Sequence, residues 1–319
     1  MNMGDVFPLI SVIIPNYNHE AFLEQRIDAV LNQTFQDFEI ILLDDKSTDE
    51  SAKVIARYSD HRKVKHIVYN SENSGSTFRQ WKQGLEFARG SWIWIAESDD
   101  VTDPRFLSTL LQGIKQDEDI VLAYCASHKI NEHGHIFDKV DWAETVSNRD
   151  WSRDFCNVGI AEITQQLFYK NTIPNASAVL FKKSAVNMAI FDEISRMRFA
   201  GDWYFWIKLL EKGKVFFSAQ FLNQFREHRF TTRTMKPAVI EKSRFEEYFK
   251  VLNYCRSRYR LSWDVKKHIW IIDEWVDKYF RFSSFSCYNT CFPVHYNVLA
   301  GLKILKNRWF GPLKRTGNK

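Results

Sequence analysis

Long apolar runs are missing from this chain of 319 residues. No stretch reaches the ~18 consecutive apolar residues that a membrane-spanning helix requires. Residues 1–8 also lack the basic region and apolar run of a signal peptide. We therefore expect a cytoplasmic protein that is attached, at most, to the inner face of the plasma membrane.

Cysteine and glycine are scarce as well. The five cysteines are odd in number and match no zinc-binding spacing. Cys287 and Cys291 could pair, but reduced thiols are the simpler interpretation in the cytoplasm. The turn after the first predicted strand, residues 15–20, reads PNYNHE. A dinucleotide-binding dehydrogenase would need G-x-G-x-x-G there, and a sugar-nucleotide pyrophosphorylase would need a glycine-rich loop, so both classes are disfavoured.

The charge is nearly balanced but unevenly distributed. The net charge is only +5, so no nucleic-acid partner is expected. Residues 251–319 contain 13 Lys and Arg against 4 Asp and Glu, and they also carry Trp263, Trp270, Trp275 and Trp309. This composition suits an anionic membrane surface. It equally suits a helical region that packs its tryptophans onto a core and turns its lysines to water.

Strand and helix patterns alternate through the first half of the chain, and 45% hydrophobic residues allow a sizeable core. Four short apolar runs are predicted strands: residues 9–15, 38–43, 64–69 and 91–96. Three later runs are also predicted strands: residues 120–125, 176–181 and 214–217. Amphipathic helical patterns separate the first four runs, which predicts an α/β fold with a parallel sheet and helices on both faces.

Polar side chains follow three of the predicted strands, in the segments 15–18 (PNYN), 44–47 (DDKS) and 97–100 (ESDD). Ligands of open α/β sheets bind beyond the carboxyl ends of the strands. The adjacent carboxylates of Asp99 and Asp100 suit a hard divalent cation, Mg²⁺ or Mn²⁺, that bridges to a substrate diphosphate. The simpler alternative is that these residues only cap the following helices, although Ser47 and Asp103 already supply start signals.

The order of these segments resembles that of family 2 glycosyltransferases. Residues 11–18 (SVIIPNYN) are similar to the family's opening strand, and residues 44–49 (DDKSTD) to its second-strand motif. Residues 88–93 (ARGSWI), leading into residues 97–100, look like the approach to its metal motif. The resemblance implies the GT-A fold, a Rossmann-like nucleotide-binding sheet, in residues 1–238, followed by a helical C-terminal region in residues 239–319.

The resemblance also implies the roles of single residues. On the donor side, four residues fall where the family holds the nucleotide: Pro15, Tyr17, Asn18 and Asp45. Asp99 falls where the family contacts the ribose or the metal, and Asp100 where it ligates the metal, so Asp100 is ranked first as a ligand. His228 falls where a histidine can contact metal or diphosphate, although a lone histidine is more often a packing residue. It precedes residues 230–236, which could close over the donor as a lid.

On the other side of the site, Asp202 falls where the family keeps its general base, and an N-cap of the following helix is the competing interpretation. Three further residues fall on or near the acceptor side: Asn175, Ser177 and Trp203. The chain departs from the family pattern at Glu97, where aspartate is common, and at Gly201, where glutamate is common. It departs again at residues 81–82, where Trp-Lys replaces Arg-Asn.

The implied activity is an inverting, metal-dependent hexosyl or N-acetylhexosaminyl transfer with Mn²⁺ or Mg²⁺. The donor is a nucleoside-diphosphate sugar, with UDP first and dTDP or GDP still open. The acceptor is a hydroxyl of a glycan or lipid-linked glycan, in the synthesis of surface polysaccharide or glycoconjugate. The alternative is a non-catalytic nucleotide-sugar or glycan-binding protein on the same fold.

Overall fold

A computed structural model describes residues 7–144, 146–173, 175–228, 238–264 and 266–279. Its first four strands lie where the apolar runs predict them: β1 Ile10–Asn16, β2 Phe38–Asp44, β3 Val64–Tyr69 and β4 Trp92–Ile95. The helices between them are α1 Glu20–Leu31, α2 Ser51–Ala56 and α3 Thr77–Phe87. All of these strands pair in parallel, in the order β3-β2-β1-β4, so the predicted parallel half of the sheet is confirmed.

The sheet continues with strands of both directions. The remaining strands are β5 Val101–Thr102, β6 Ile120–Ile130, β7 Ile136–Lys139, β8 Phe155–Val158, β9 Val179–Lys182 and β10 Lys214–Arg226. β9 lies antiparallel between β4 and β6, and β10 then runs parallel to β6. β5 pairs with the far edge of β10, while β7 pairs with β6 and β8 with β10. The complete sheet is therefore mixed.

β10 is much longer than its sequence pattern suggests. The apolar run predicts a strand over residues 214–217, but pairing with β6 continues to Arg226 through register shifts after Lys214, Ser218 and Phe221. Such shifts break the alternation of buried and exposed residues by which a strand is recognised in sequence. The extension has a consequence for the site, because it brings the end of β10 to the segment that follows β4.

Helices cover both faces of the sheet. The remaining helices are α4 Phe106–Ile114, α5 Gly159–Glu162, α6 Phe191–Ile194, α7 Gly201–Leu210, α8 Ala238–Tyr259 and α9 Ile269–Tyr279. One core joins the sheet to α1 and α4, with Leu23, Ile27 and Leu110 at its centre. The other joins the opposite face to α3 and α7. None of the helices in the described ranges is long and apolar enough to cross a membrane.

The described C-terminal helices belong to the second core. Phe249 and Leu252 of α8 and Trp275 of α9 are buried in the same cluster as Trp206 of α7. Trp270 packs against that cluster and donates its indole N–H to the carbonyl oxygen of Tyr169. Trp270 and Trp275 therefore pack onto the same core as α7. Trp309 and the pair Cys287 and Cys291 lie outside the described residues.

Candidate active site

Three ligand-type side chains meet at the carboxyl end of the parallel strands. His19 lies in the turn after β1, Asp99 in the segment after β4, and His228 two residues beyond the end of β10. Nε2 of His228 lies 3.1 Å from Oδ2 of Asp99, and the two imidazole rings are 5.4 Å apart. One potential ligand atom from each of the three residues lies within 4.8 Å of the others, which is close enough for a single metal ion to bind all three.

The protonation states of this group suit metal binding. Burial lowers the pKa of His19, which keeps its imidazole neutral and a ring nitrogen available as a ligand. Burial opposes the charge of Asp99, but the hydrogen bond from His228 holds the pKa of Asp99 below its ordinary value. His19 is further oriented by its Nδ1, which lies 2.8 Å from Oγ of Ser98.

Asp100 is turned into the protein. It is 2% exposed, its Oδ1 accepts from the backbone N–H of Arg226 at 2.9 Å, and its Oδ2 accepts from Nδ2 of Asn175 at 3.0 Å. Burial and the neighbouring Asp99 raise the pKa of Asp100 to about 6. The ranking of Asp100 as first metal ligand is therefore revised, because its carboxylate is buried and directed to Arg226 and Asn175, whereas Asp99 faces the two imidazoles.

Glu97 also faces away from the histidines. Its Oε1 accepts from the indole Nε1 of Trp81 at 2.9 Å, so the two departures from the family pattern are partners of one another. Burial, with the charge of Asp99 adding to it, raises the pKa of Glu97 to about 8. The low rank of Glu97 as a ligand agrees with this arrangement. Lys82, the other half of the Trp-Lys pair, lies beside Asp192 at the surface.

Two of the predicted acceptor-side residues instead form hydrogen bonds with residues 97–100, the acidic segment. Ser177 is 0% exposed, and its Oγ accepts from the backbone N–H of Glu97 at 3.1 Å. Asn175 is buried between the backbone N–H of Ser177 and the carboxylate of Asp100. Neither side chain offers a surface to an acceptor, so this part of the prediction is corrected to a supporting role.

Trp203 is likewise a core residue. It is 1% exposed and donates its indole N–H to the carbonyl oxygen of Leu167, so the prediction of an acceptor contact is corrected. Asp202 precedes it as the second residue of α7, whose N-cap is Ala200. Asp202 is therefore not the cap of that helix. Its Oδ1 accepts from the backbone N–H of Trp203 at 2.7 Å, and Oδ2 lies 3.4 Å from Nδ2 of Asn171.

The segments after β1 and β2 are tied to each other. Oγ of Ser47 accepts from the backbone N–H of Asn18, and Oδ1 of Asn18 accepts from the backbone N–H of Thr48 at 2.7 Å. The backbone of Asn18 is left-handed, with φ of 55°. Ser47 also donates to Asp44, and α2 begins only at Ser51, so the predicted helix start at Ser47 is wrong.

Two donor-side candidates differ in exposure. Tyr17 is 46% exposed beside the end of β1, whereas Pro15 is buried within the strand. Asp45 is buried and fixed by four hydrogen bonds, which come from the side chains of Asn70 and Gln80 and from the backbone N–H and Oγ of Ser74. Only one of these reaches Oδ2, so that oxygen keeps a lone pair for a further donor.

Sequence reasoning missed three residues of this site: His19, Arg26 and Arg226. His19 was noted only as part of a turn that lacks glycine. Its position directly after the first strand, where the donor-side segment lies, was the available signal. Arg26 lies on the buried face of α1, where a charged residue among Leu23 and Ile27 is unusual and indicates a buried partner.

The mixed sheet and the acidic segment after its fourth strand define a GT-A type fold. The profile of glycosyl transferase family 2 matches residues 11–187, and the chain belongs to that family. An uncharacterized glycosyltransferase of Rickettsia typhi is 26% identical over 72% of this chain and 67% of its own length. Glycosyltransferase GlyG of Streptococcus pneumoniae is 37% identical over 36% of this chain and 38% of its own length.

A solved structure shares the fold. Residues 1–349 of Staphylococcus aureus TarS, in complex with UDP-GlcNAc, superpose with a TM-score of 0.59, covering 88% of this chain and 74% of that one. The sequences are 16% identical, so this likeness concerns the fold alone. These two curated matches cover 67% and 38% of the relatives' own lengths, so the activity of the whole protein remains to be proposed.

Proposed function

We propose that the chain is an inverting glycosyltransferase that moves a hexosyl or N-acetylhexosaminyl group from a nucleoside-diphosphate sugar to a hydroxyl of a glycan or lipid-linked acceptor. The observation that carries this proposal is the meeting of His19, Asp99 and His228 at the carboxyl end of the strands. Members of its family are glycosyltransferases, and a metal site at this position suits a substrate diphosphate.

The donor set favours Mn²⁺ over Mg²⁺. Two imidazole nitrogens and one carboxylate oxygen make a mixed site, and Mg²⁺ binds almost entirely through oxygen. A bound ion would neutralise the charge that develops on the departing nucleoside diphosphate. The chain's own part is to keep His19 neutral, to keep Asp99 ionised, and to fix both through Ser98 and His228.

For the donor we propose a uridine nucleotide. The ring of Tyr17 is exposed beside the site and can stack on a base. The free lone pair of Asp45 Oδ2 can accept the N3–H of a uracil ring, and a thymine ring offers the same donor. The TarS structures hold UDP-GlcNAc or UDP, which agrees with this choice. Pro15 and Asn18 would shape the base-binding side through their backbone.

Asp202 is our candidate general base. It lies at the start of α7, which packs on the face of the sheet opposite α1. Its carboxylate would take the proton of the acceptor hydroxyl as that oxygen attacks the anomeric carbon. The bond to the diphosphate oxygen breaks in the same displacement, so the anomeric configuration inverts.

We further propose that the enzyme acts in the cytoplasm, at the inner face of the membrane, in surface polysaccharide or glycoconjugate synthesis.

The test compares Asp202→Asn with the wild-type protein. Thermal shift with UDP-, dTDP- and GDP-sugars, with and without Mn²⁺, first identifies the donor. The variant should then bind that donor and Mn²⁺ as the wild type does, while transfer falls by about 10²-fold or more, the usual contribution of a general base. Asp192→Asn, at an exposed carboxylate near α7, is the matched control.

Two outcomes would contradict the proposal. Transfer by Asp202→Asn at the wild-type rate would remove Asp202 from the mechanism. Donor binding by the wild type without any release of nucleoside diphosphate, across a panel of glycan acceptors and with water alone, would instead support the non-catalytic binding protein.

A further inference from the structure

Two arginines lie behind the acidic segment, and both are almost entirely buried. Arg26 projects from α1 and is 0% exposed; Arg226 ends β10 and is 1% exposed. A buried guanidinium is costly unless its N–H groups find acceptors and its charge finds a partner. Neither residue can reach a substrate from these positions, so their contacts must serve the protein itself.

Their hydrogen bonds converge on the backbone of the acidic segment. Nε of Arg26 donates to the carbonyl oxygen of Glu97 at 2.7 Å, and Nη1 donates to Oγ1 of Thr102 at 2.6 Å. Nε of Arg226 donates to the carbonyl oxygen of Asp99 at 2.7 Å. The guanidinium of Arg26 also lies 3.9 Å from the buried carboxylate of Asp100, which supplies the opposing charge.

The same arginines join the three elements that bring the ligand residues together. His19 is the N-cap of α1, so Arg26 ties the helix that begins at one ligand to the segment that carries Asp99. Arg226 stands two residues before His228, and it ties the end of β10 to that segment. Its Nη2 also donates to Oε1 of Gln25 on α1 at 2.7 Å. The three elements are thus linked pairwise.

We propose that Arg26 and Arg226 are positioning residues that set the distances between His19, Asp99 and His228 and thereby tune the affinity of the site for Mn²⁺. This inference rests on the proposed metal site. Partners that orient metal ligands without touching the ion commonly change metal affinity by about 10- to 100-fold when they are replaced. Lysine cannot substitute for either arginine, because one ammonium cannot reproduce a planar fork of donors.

The experiment measures Mn²⁺ affinity by titration followed with electron paramagnetic resonance. Arg26→Lys keeps the charge but loses the fork, and we expect its Kd to rise about tenfold or more. Gln25→Met removes an acceptor of Arg226 from an exposed position, so the fold is not at risk, and its Kd should rise roughly two- to tenfold, the effect of one hydrogen bond. Glu24→Gln, next to it on the exposed face, is the matched control and should bind as the wild type does.

A wild-type Kd in folded Arg26→Lys, or in Gln25→Met, would overturn the inference. If Arg26→Lys does not fold, Gln25→Met decides alone. Failure of the proposed metal site itself looks different: the wild type would then bind no Mn²⁺, or would bind it equally well after Asp99→Asn. A change in the resonance line shape of bound Mn²⁺ in the arginine variants would add support, since a loss of stability alone does not alter the ion's ligand geometry.

Discussion

At the scale of single residues, the site depends on which of two adjacent carboxylates faces the histidines. Asp99 and Asp100 are neighbours in sequence, yet Asp99 contacts His228 and Asp100 contacts Asn175 and the backbone of Arg226. We expect the two to differ sharply when each is changed to asparagine. One is a candidate ligand, and the other is an internal anchor of the segment.

Asp99→Asn should lower Mn²⁺ affinity by about 100-fold or more, because it removes the anionic ligand of the group, whereas Asp100→Asn should lower it by roughly tenfold. Asp100→Asn should also reduce the thermal unfolding temperature more than Asp99→Asn does, since it leaves Arg26 buried without its charge partner. Calorimetric titration and thermal unfolding measure both effects. The reverse order of affinities would restore Asp100 as the first ligand.

The sequence identifies this pair, but its ranking of Asp100 above Asp99 differs from the arrangement in the structure. The strand pattern alone shows that carboxylates follow a buried strand. The resemblance to the family identifies His228 as a candidate ligand. The direction in which Asp100 points depends on Asn175 and Arg226, which are 75 and 126 residues away in the chain. His19 was missed for a related reason, because a single histidine in a turn gains its meaning only from its neighbours in space.

At the scale of elements, the amino ends of β1 and β4 are held by a buried carboxylate. Glu39 of β2 accepts from Oγ of Ser11 at 2.7 Å and forms two hydrogen bonds with the guanidinium of Arg89. Gly90 follows directly, and a Cβ there would lie 2.5 Å from the backbone nitrogen of Ser11, so only glycine fits the approach to β4. These contacts fix the start of β4, the strand that leads to the acidic segment.

Glu39→Gln should lower the free energy of unfolding by about 1–3 kcal/mol at pH 7, because it replaces charge-assisted hydrogen bonds with neutral ones. Burial opposes the charge of Glu39, but its hydrogen bonds with Arg89 and Ser11 hold its pKa below the ordinary 4.5. A carboxyl pKa that is lowered by folding stabilises the fold fully at pH values above the ordinary pKa. That stabilisation is lost as the pH falls from the ordinary pKa through the lowered pKa of the folded protein. The difference between variant and wild type should therefore shrink below about pH 4.5.

Thermal unfolding across pH 3.5 to 7 measures this difference. Glu72→Gln, at an exposed position outside the strands, serves as the control and should follow the wild type at every pH. A variant of Glu39 that stays equally destabilised at pH 3.5 would show that its effect comes from packing and not from charge.

The strands and helices that the sequence predicts correctly are those with one hydrophobic pattern along their whole length. β1 to β4 are short, buried and separated by amphipathic helices, so their order and direction follow from the pattern. β9 has the same apolar composition, but nothing local states that it enters the sheet antiparallel between β4 and β6. β5 has two residues, which is too few for any periodicity, and it exists only through its pairing with β10.

At the scale of the whole molecule, the C-terminal helix α8 contacts the segment that leads into α7. The carboxylate of Glu247 in α8 accepts from the backbone N–H groups of Arg198, Phe199 and Ala200, immediately before α7 begins. α7 in turn carries Asp202 at its second position. The sequence marks a change to a basic, helical pattern near residue 239, but a change of pattern does not say whether a region folds separately.

A chain that ends at residue 237 should therefore fail to fold, whereas the full chain folds and unfolds cooperatively. The shorter chain loses the buried side chains of Phe245, Phe249, Leu252, Ile272 and Trp275. Each large apolar side chain contributes about 1.5–3 kcal/mol by burial, so together they match the roughly 5–15 kcal/mol that stabilises a typical protein. Gel filtration and calorimetry of the truncated and the full chain test this directly. A soluble, cooperatively unfolding chain of residues 1–237 that binds Mn²⁺ would instead mean that the boundary near residue 239 separates two folding units, and that α8 is not needed to hold α7 in place.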